Sequence, residues 1–531
     1  MLSQNLYGGF EMKHWQLKNV SNGLVNLFFI PLILITLLGG APLILANFQG
    51  LSSIGIKVVD VISLILILAL ICAPVRHAIS KWSRPVVQLV KRYRRPLLWV
   101  LIVGTLLWQV AVVWLLSGFS AWDPGKIILA AIGQLPNPSP YFSNYPNTVF
   151  LLLLERGIWL ISGQPKLQTF IVILNLINII LIDSGVLMLR AVAKRWFGKQ
   201  QANLLVVVSW VLIVMAPWIA MPYSDTWAFF LASLCLFLGN CLVNSHRWGY
   251  RAILAVGLGI AIILGYYIKP SLIIITIAAL IVLVFKAIEQ PKKLFNRTVL
   301  LSACLVIVGA GAGVLFDHAM IAHQDSVKID STQAHPLTHF VAMGMYGNGG
   351  FHRDDAVMDY FIKSPTARNQ ANVKLIHQRF RAFNGLTNYE KFLVRKQINN
   401  TADGSFGWGQ EGQFLLTNKP NNKKLNHTVV RRLFAKHGTA QTNNFEYRFV
   451  AQLVWMAVLV ALFFTISLSD WKVQLLKYGV VGFMLFLLIF EGGRSRYVIQ
   501  FLPLILVLAS VGGTRLITLV GQWHASSTFK R

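Results

Sequence analysis

The stretch LVNLFFIPLILITLLGGAPLILAN (24–47) contains no charged side chain. A helix of about 20 residues, rising about 1.5 Å per residue, crosses the hydrocarbon core of a bilayer, which is about 30 Å thick. The stretch is too long for the apolar region of a cleaved signal peptide, and it lacks a clear cleavage site of small residues. It therefore predicts a retained membrane-spanning helix.

Eleven further runs of similar length and polarity follow along the chain. They lie at 57–75, 97–117, 168–190, 204–221, 227–244, 252–268, 271–286, 298–316, 449–467, 474–490 and 497–513. The 531 residues are 55% hydrophobic and only 13% charged, and the mean hydropathy is +0.60. This composition excludes a soluble enzyme. The sequence predicts an all-α polytopic membrane protein with about 12 transmembrane helices.

The chain carries a large surplus of positive charge, with 48 Lys and Arg against 19 Asp and Glu and a net charge of +29. On a soluble protein this surplus would suggest a nucleic-acid partner. Here the basic residues cluster between apolar runs, at 76–95, 190–199 and 286–297, and cytoplasmic loops are enriched in Lys and Arg. We therefore expect no nucleic-acid partner. We predict a multi-pass protein of the plasma membrane, surrounded by membrane lipids, with both termini in the cytoplasm.

The alternation of runs and loops divides the chain into four parts. The first part is a tail with a two-helix hairpin and a basic loop (1–96), and the second is a membrane core (97–316). The third is an extracytoplasmic domain (317–448), and the fourth is a three-helix segment with a cytoplasmic tail (449–531). We expect a folded domain in the third part because structureless loops of that length are rare. Within it, residues 374–398 predict a helix with an apolar face.

One apolar run does not fit the alternation. Segment 148–163 is short and contains Glu155 and Arg156 at its middle, and counting it as a span would place the basic loop 190–199 outside. We predict a helix in the outer membrane interface, or a re-entrant one. An ordinary short span with a buried ion pair is the alternative.

Two carboxylates stand at predicted outer ends of helices. Asp123 lies between Trp122 and Pro124 in the outer loop 118–147, and Asp225 lies in the tight loop between two spans. A carboxylate at an apolar boundary is partly desolvated and can accept a proton from a hydroxyl group. The alternative for both residues is a helix N-cap.

Cations recur on the same predicted face, although the positive-inside rule disfavours them there. Lys269 precedes Pro270 at the end of one span, and Arg494 and Arg496 lie in the last hairpin. Arg binds phosphate oxygens in a bidentate manner, so a lipid-linked phosphate is a candidate ligand. Snorkelling of long side chains to the interface is the alternative.

The order of these motifs resembles that of the GT-C superfamily of polytopic glycosyltransferases, which includes protein O-mannosyltransferases and the aminoarabinose transferase of lipid A. In that superfamily a span leads into a first outer loop with the catalytic Asp, followed by an interfacial helix. The matching positions here are Asp123, the Tyr-Pro-Asn stretch at 145–147 and segment 148–163.

The later motifs of the superfamily match in the same order. The second outer Asp of the superfamily matches Asp225, and its Lys-Pro pair matches Lys269–Pro270. Its Arg-Tyr segment with a following Pro matches Arg496–Tyr497 and Pro503. More narrowly, segments 335–355, 403–414 and 491–503 look like those of a set of Gram-positive integral membrane proteins related to this superfamily. The resemblance covers 97–513. The first two helices then form an added hairpin, and Asp123 lacks the adjacent acidic partner of the mannosyltransferases.

The resemblance implies an inverting glycosyltransferase that works on the outer face of the plasma membrane. Its donor would be a polyprenyl-phosphate sugar, and its acceptor an envelope glycopolymer or glycolipid such as a teichoic acid. Asp123 would be the general base, and Asp225 would orient hydroxyl groups. The donor phosphate would be bound by Lys269, Arg494, Arg496 and Tyr497, and the sugar or acceptor by Trp122, Tyr141, Tyr145 and Asn147.

No cofactor is expected, and no metal, since many GT-C enzymes need none. His352, Asp354 and Asp355 offer cation ligands, but a solvated turn is favoured. Two other classes stay open. A transporter or flippase of a lipid-linked or polyanionic envelope precursor would use the same cations and is favoured by Asp60 and Asp183 within spans. A non-catalytic scaffold of an envelope assembly is the third class.

Overall fold

The computed structural model describes residues 4–409, 416–417, 422–435 and 445–528. Within these ranges the chain is helical apart from a two-residue antiparallel pair, in which Gly118 lies opposite Thr417. In this described part of the chain, ten helices are long and apolar enough to cross a membrane. The protein is therefore an all-α polytopic membrane protein, as its composition predicts.

The ten membrane helices are continuous over most of their length, and three-residue and seven-residue 3-10 segments (Pro270–Leu272 and Ser495–Phe501) extend two of them at one end. They are α1 (Gln4–Gln49, apolar over Leu17–Gln49), α4 (Arg94–Leu116), α8 (Leu167–Trp196), α10 (Ser224–Asn244), α11 (Trp248–Ile268), α12 (Ile273–Glu289), α14 (Arg297–His323), α21 (Phe445–Phe463), α22 (Trp471–Ile489) and α23 (Leu502–Thr528).

The remaining elements are shorter or more polar. They are α2 (Ser53–Ile71), α3 (Ala73–Arg92), β1 (Gly118–Phe119), α5 (Asp123–Ala131), α6 (Ser139–Asn144), α7 (Val149–Ile161), α9 (Lys199–Ser209), α13 (Pro291–Leu294), α15 (Leu337–Met343), α16 (Arg353–Phe361), α17 (Pro365–Ala382), α18 (Leu386–Thr401), β2 (Leu416–Thr417), α19 (Lys423–Asn426) and α20 (Val429–Phe434).

Two of the twelve predicted runs are not among the ten. Run 57–75 forms α2, which ends at Ile71, and run 204–221 forms α9 with a π-helical extension over Trp210–Val214. α9 and its π-helical extension stop before Pro217, because proline has no backbone N–H to continue the helix. Side chains of other helices then bind the freed carbonyl groups: the Trp108 indole donates to Met215, and the Asn178 amide donates to Met221.

The first helix is part of the packed bundle. α1 packs against α12, α18, α21 and α22, and the Thr36 and Thr401 hydroxyls are 2.7 Å apart in a buried hydrogen bond. A Cβ at Gly39 would lie 2.5 Å from Ile398, so glycine permits this close approach of α1 to α18. In contrast, the described side chains of α2 are mostly exposed. The predicted hairpin consists of α1 and α2, and α1 packs as part of the helix bundle.

The segment that breaks the predicted alternation forms α7, which has 13 residues. At about 1.5 Å per residue it is too short to cross about 30 Å of hydrocarbon. Glu155 is buried, while Arg156 donates to the carbonyl of Ala131 and lies over the Trp159 ring. Arg156 is therefore held by α5 and by its own helix. The interfacial position of α7 stays a prediction.

The polar part of the chain between α14 and α21 is hereafter called the insert. Its described residues include the four helices α15–α18, which lie between Leu337 and Thr401. The single helix predicted over 374–398 is wrong, because α17 and α18 are separate. Asn384 and Gly385 have φ values of 51° and 119°, a left-handed conformation that ends a helix. The Phe383 ring packs on Phe392 across the turn at 5.0 Å between centroids.

Candidate functional site

Four segments distant in sequence meet at one end of the bundle, hereafter the site end. They are 118–147, 216–225, 268–272 and 490–501. Each follows or precedes a membrane helix, so each side chain is placed by the end of a rigid element. The site end thus brings the predicted carboxylates and cations together.

Asp225 lies at the centre of a group of opposite charges. Its Oδ1 is 2.7 Å from the Lys269 ammonium, and its Oδ2 is 3.2 Å from Nε of Arg496. The Lys269 ammonium also donates to the hydroxyl of Ser224 at 3.2 Å. All three charged side chains are largely buried, with exposed fractions of 4% for Asp225, 15% for Lys269 and 9% for Arg496. One carboxylate thus faces two cations.

Two tyrosine rings enclose the trio. The Lys269 ammonium lies 5.2 Å from the ring centroids of both Tyr223 and Tyr497, and the Arg496 guanidinium lies 5.1 Å from that of Tyr223. Such cation–π contacts stabilise a charge where water is scarce. Burial lowers the pKa of Lys269, and the Asp225 carboxylate opposes this shift.

Asp123 lies beside the same aromatic cluster. Its charge acts on the phenols of Tyr141, Tyr145 and Tyr223. Burial raises the pKa of all three phenols, and the Asp123 charge raises it further. Tyr223 therefore stands between the predicted base and the Lys269–Asp225–Arg496 trio. Sequence reasoning missed Tyr223, although it lies two residues before Asp225.

The other predicted ligand side chains are distributed around this centre. The Arg494 guanidinium lies 5.2 Å from the centroid of the Trp122 ring, and the Tyr497 hydroxyl donates to Glu491 at 3.3 Å. Burial raises the pKa of Glu491, while Arg494 lowers it. Asn147 is exposed in a 3-10 turn, and no hydrogen bond or ion pair joins it to the cluster within the described ranges.

Helix capping does not account for either aspartate. α5 begins at Asp123, and Trp122 occupies the cap position without a side-chain hydrogen bond. α10 begins at Ser224, and the cap position is held by Tyr223. The Asp225 oxygens face the two cations instead of the helix amides. The structure therefore favours an ionic role for Asp225 over an N-cap.

The insert packs directly on the site end. The backbone N–H of Asp330 donates to the Ser143 hydroxyl, and that of His335 donates to the carbonyl of Asn144. The buried Lys396 ammonium donates to the carbonyls of Leu488 and Phe490, at the end of α22. Residues of the insert thus fix the segments that carry Tyr145 and Glu491.

Of the cation ligands considered from sequence, His352 contacts Asp355 through Nδ1 at 3.0 Å and Asp354 through Nε2 at 3.8 Å. Asp355 is buried and forms a bidentate ion pair with Arg379, at 2.6 and 2.7 Å, while the Asp354 side chain is 87% exposed. The solvated turn predicted for these residues therefore holds for Asp354 and fails for Asp355. A different group, His335, His339 and Asp359, has the spacing of metal ligands. Two histidines four residues apart in HPLTH were its visible signal.

Polar side chains also lie within the membrane helices. Asn178 accepts a hydrogen bond from the Thr226 hydroxyl at 2.7 Å and donates to the carbonyl of Met221, which fixes the loop before Asp225. Asp183 accepts from the Gln109 amide at 2.9 Å. Asp60 is exposed on α2.

Comparison with known families gives one match. A family model described as "Conserved hypothetical integral membrane protein" matches residues 17–515, which is most of the chain. No curated protein and no solved structure matches the sequence. Together with the ten membrane helices, this match shows that the chain belongs to that family of conserved hypothetical integral membrane proteins.

Proposed function

We propose that this protein is an inverting membrane glycosyltransferase of the GT-C type, which transfers a sugar from a polyprenyl-phosphate donor to an envelope glycopolymer or glycolipid on the outer face of the plasma membrane. A teichoic acid is one such acceptor. The proposal is supported chiefly by one observation: two cations share one carboxylate at a helix boundary, beside a second carboxylate that could act as a base.

Two cations held close together by one carboxylate suit a lipid-linked phosphate. In a partly buried site, an electrostatic contact is stronger than in water because screening is weaker. Asp225 would hold Lys269 and Arg496 in place before the donor arrives, so little reorganisation is needed when the phosphate binds. Arg494 and Tyr497 would complete the phosphate site. Asp225 is thus proposed to position the two cations in addition to orienting hydroxyl groups.

Asp123 is proposed as the general base. It would take the proton of the acceptor hydroxyl as that oxygen attacks the anomeric carbon. The bond between that carbon and the phosphate oxygen breaks, and polyprenyl phosphate leaves with the bonding electrons. The cations would stabilise the charge that grows on this leaving group. Trp122, Tyr141 and Tyr145 would stack on sugar rings, and Asn147 would bind at the edge of the site.

The direct test is sugar transfer by purified protein in lipid nanodiscs. A polyprenyl-phosphate sugar carrying a radiolabel is offered together with a wall-polymer acceptor, and labelled polymer is measured. The donor sugar and acceptor can first be narrowed by mass spectrometry of envelope polymers from a deletion strain. Labelled polymer should form with the parent protein and with Asp354→Asn, a matched control because this carboxylate is exposed.

A transporter or flippase is the second candidate. It is favoured by the break in the helix that contains the π-helical turn Trp210–Val214, and by the polar residues Asn178 and Asp183 within α8. Movement of intact labelled donor across a proteoliposome membrane, without an acceptor and without release of polyprenyl phosphate, would favour this candidate. Release of polyprenyl phosphate that depends on the acceptor would favour the transferase.

A further inference from the structure

The insert contains a compact group of three potential metal ligands. Nδ1 of His335 and Nδ1 of His339 lie 3.1 and 2.9 Å from the same oxygen, Oδ2 of Asp359. The three residues are 9%, 0% and 1% exposed, and one ligand atom of each lies within 4.8 Å of the others. Nitrogen and oxygen atoms at such separations can contact one ion at the usual distances of about 2.0–2.2 Å.

The ring of His339 is fully buried, and one of its nitrogens has no hydrogen-bond partner among the described residues. Nδ1 of His339 contacts Oδ2 of Asp359 at 2.9 Å without the alignment of a hydrogen bond, and Nε2 has no hydrogen-bond partner in the described part of the chain. A buried polar group without a partner costs about 1–3 kcal/mol. A bound cation would use one of these nitrogens directly, which makes His339 the clearest sign of a ligand at this position.

The neighbouring residues support Asp359 as a metal ligand. The Asn372 amide donates to its other oxygen, Oδ1, at 2.7 Å, and the Arg368 guanidinium donates to its backbone carbonyl at 3.1 Å. These contacts fix the carboxylate, as partners of metal ligands usually do. The two imidazole rings are stacked, with centroids 4.1 Å apart and planes 8° from parallel. Coordination by both therefore requires one ring to turn about its Cβ–Cγ bond, a torsion with broad minima.

We propose that His335, His339 and Asp359 bind a divalent transition-metal cation of the Zn²⁺ type. Imidazole nitrogen suits Zn²⁺ and its neighbours, whereas Mg²⁺ and Ca²⁺ prefer oxygen ligands. The ion joins α16 to the segment that enters α15. Because the His335 ring contacts the Tyr145 ring at 4.8 Å, the ion also fixes the insert against the site end. The proposal does not depend on the glycosyltransferase reaction.

The test uses the full-length protein, purified without a polyhistidine tag and stripped with a chelator. Zn²⁺ binding is measured by competition with a chromophoric chelator, and the Co²⁺ form is examined by visible absorption. One Zn²⁺ per chain should bind with a Kd of about 1 μM or tighter, in the presence of excess Mg²⁺. The Co²⁺ spectrum should indicate nitrogen ligands.

The variants separate ligands from bystanders. Each of the ligand variants, His335→Gln, His339→Asn and Asp359→Asn, should lower the affinity for Zn²⁺ more than Asn372→Ala does. For Asn372→Ala we expect a loss of affinity of about 10–100-fold, because Asn372 only supports a ligand. His377→Asn, which changes an exposed histidine of α17, should bind as the parent does. If the parent protein does not bind stoichiometric Zn²⁺, the proposal is overturned. This result does not depend on whether the ligand variants fold. Retention of Zn²⁺ by all three folded ligand variants, or an equal loss in His377→Asn, would also overturn the proposal.

Discussion

The ammonium of Lys269 lies 2.7 Å from Oδ1 of Asp225, a residue 44 positions earlier in the chain. The pair joins the end of α11 to the first turn of α10, and Arg496 approaches the second oxygen of the same carboxylate from the 3-10 segment Ser495–Phe501, which extends α23. Three membrane helices are therefore connected through one carboxylate. This arrangement suggests that Asp225 keeps two like charges close together.

Replacing Asp225 should reveal that role. Asp225→Asn leaves two buried cations without their carboxylate, and breaking such a buried pair costs about 3–5 kcal/mol of unfolding free energy. The thermal unfolding midpoint of the detergent-purified protein should fall accordingly. Asp354→Asn, at an exposed carboxylate, should change the unfolding free energy by less than about 0.5 kcal/mol. Equal stability of the two variants would contradict the ionic role of Asp225.

The sequence predicted the membrane helices well because bilayer thickness imposes a long apolar run on each one. It also identified Asp225, Lys269 and Arg496, since charge at a helix boundary is costly and stands out. It did not show that these three side chains contact each other, because helix order along the chain does not determine which helices pack together. Tyr223 was missed for that reason: only the packing places its ring beneath two cations.

The insert was harder to predict. Its helices carry polar side chains on several faces, so periodicity is weak. The sequence therefore predicts one helix across Asn384 and Gly385, where the structure has α17 and α18. The Asp355–Arg379 ion pair and the three potential metal ligands arise from contacts between separate helices. The HPLTH pattern shows the two histidines, but no local sequence pattern joins Asp359 to them or Arg379 to Asp355.

The sidedness of the membrane is a separate prediction. In a variant lacking the four native cysteines, His377→Cys in the insert should react with an impermeant thiol reagent in intact cells, because the insert is predicted to be outside. Lys81→Cys, exposed on α3, should react only after the cells are permeabilised. The reverse pattern would place the site end in the cytoplasm.

Lys396 should be needed to hold the end of α22. The residue is 1% exposed, and its ammonium donates to the carbonyls of Gly344, Leu488 and Phe490 at 2.6, 3.0 and 2.7 Å. Lys396→Met removes all three hydrogen bonds and leaves buried carbonyl groups unpaired, so we expect a loss of about 1–3 kcal/mol in unfolding free energy. Lys391→Met, at an exposed position of α18, should be nearly neutral. The midpoints of thermal unfolding of Lys396→Met and Lys391→Met test this prediction. Similar midpoints for the two variants would refute it.

Donor binding should depend on pH through Glu491. Burial raises the pKa of this carboxyl above its usual value near 4.5, so the side chain becomes neutral as pH falls towards that raised pKa. Loss of its negative charge beside Arg494 strengthens the binding of a phosphodiester, whose own charge stays constant. We expect Kd to fall about 3- to 10-fold, an effect of roughly 1 kcal/mol. Binding of a polyprenyl phosphodiester measured between neutral and mildly acidic pH should show this change in the parent, and Glu491→Gln should bind tightly throughout. Parallel pH profiles would exclude Glu491 as the cause.

The reaction itself should separate Asp123 from Arg496. Asp123→Asn keeps the shape of the side chain but cannot accept a proton, so sugar transfer should fall by about 10²–10⁴-fold while donor binding survives. Arg496→Ala should weaken both, because the phosphate is charged in the ground state as well as in the transition state. Donor binding and transfer are measured on the same nanodisc preparations, with Asp354→Asn as the control. A flippase would not show this separation, since Asp123 would serve no chemical step. If Asp123→Asn transfers sugar as fast as the parent protein, Asp123 is not the base.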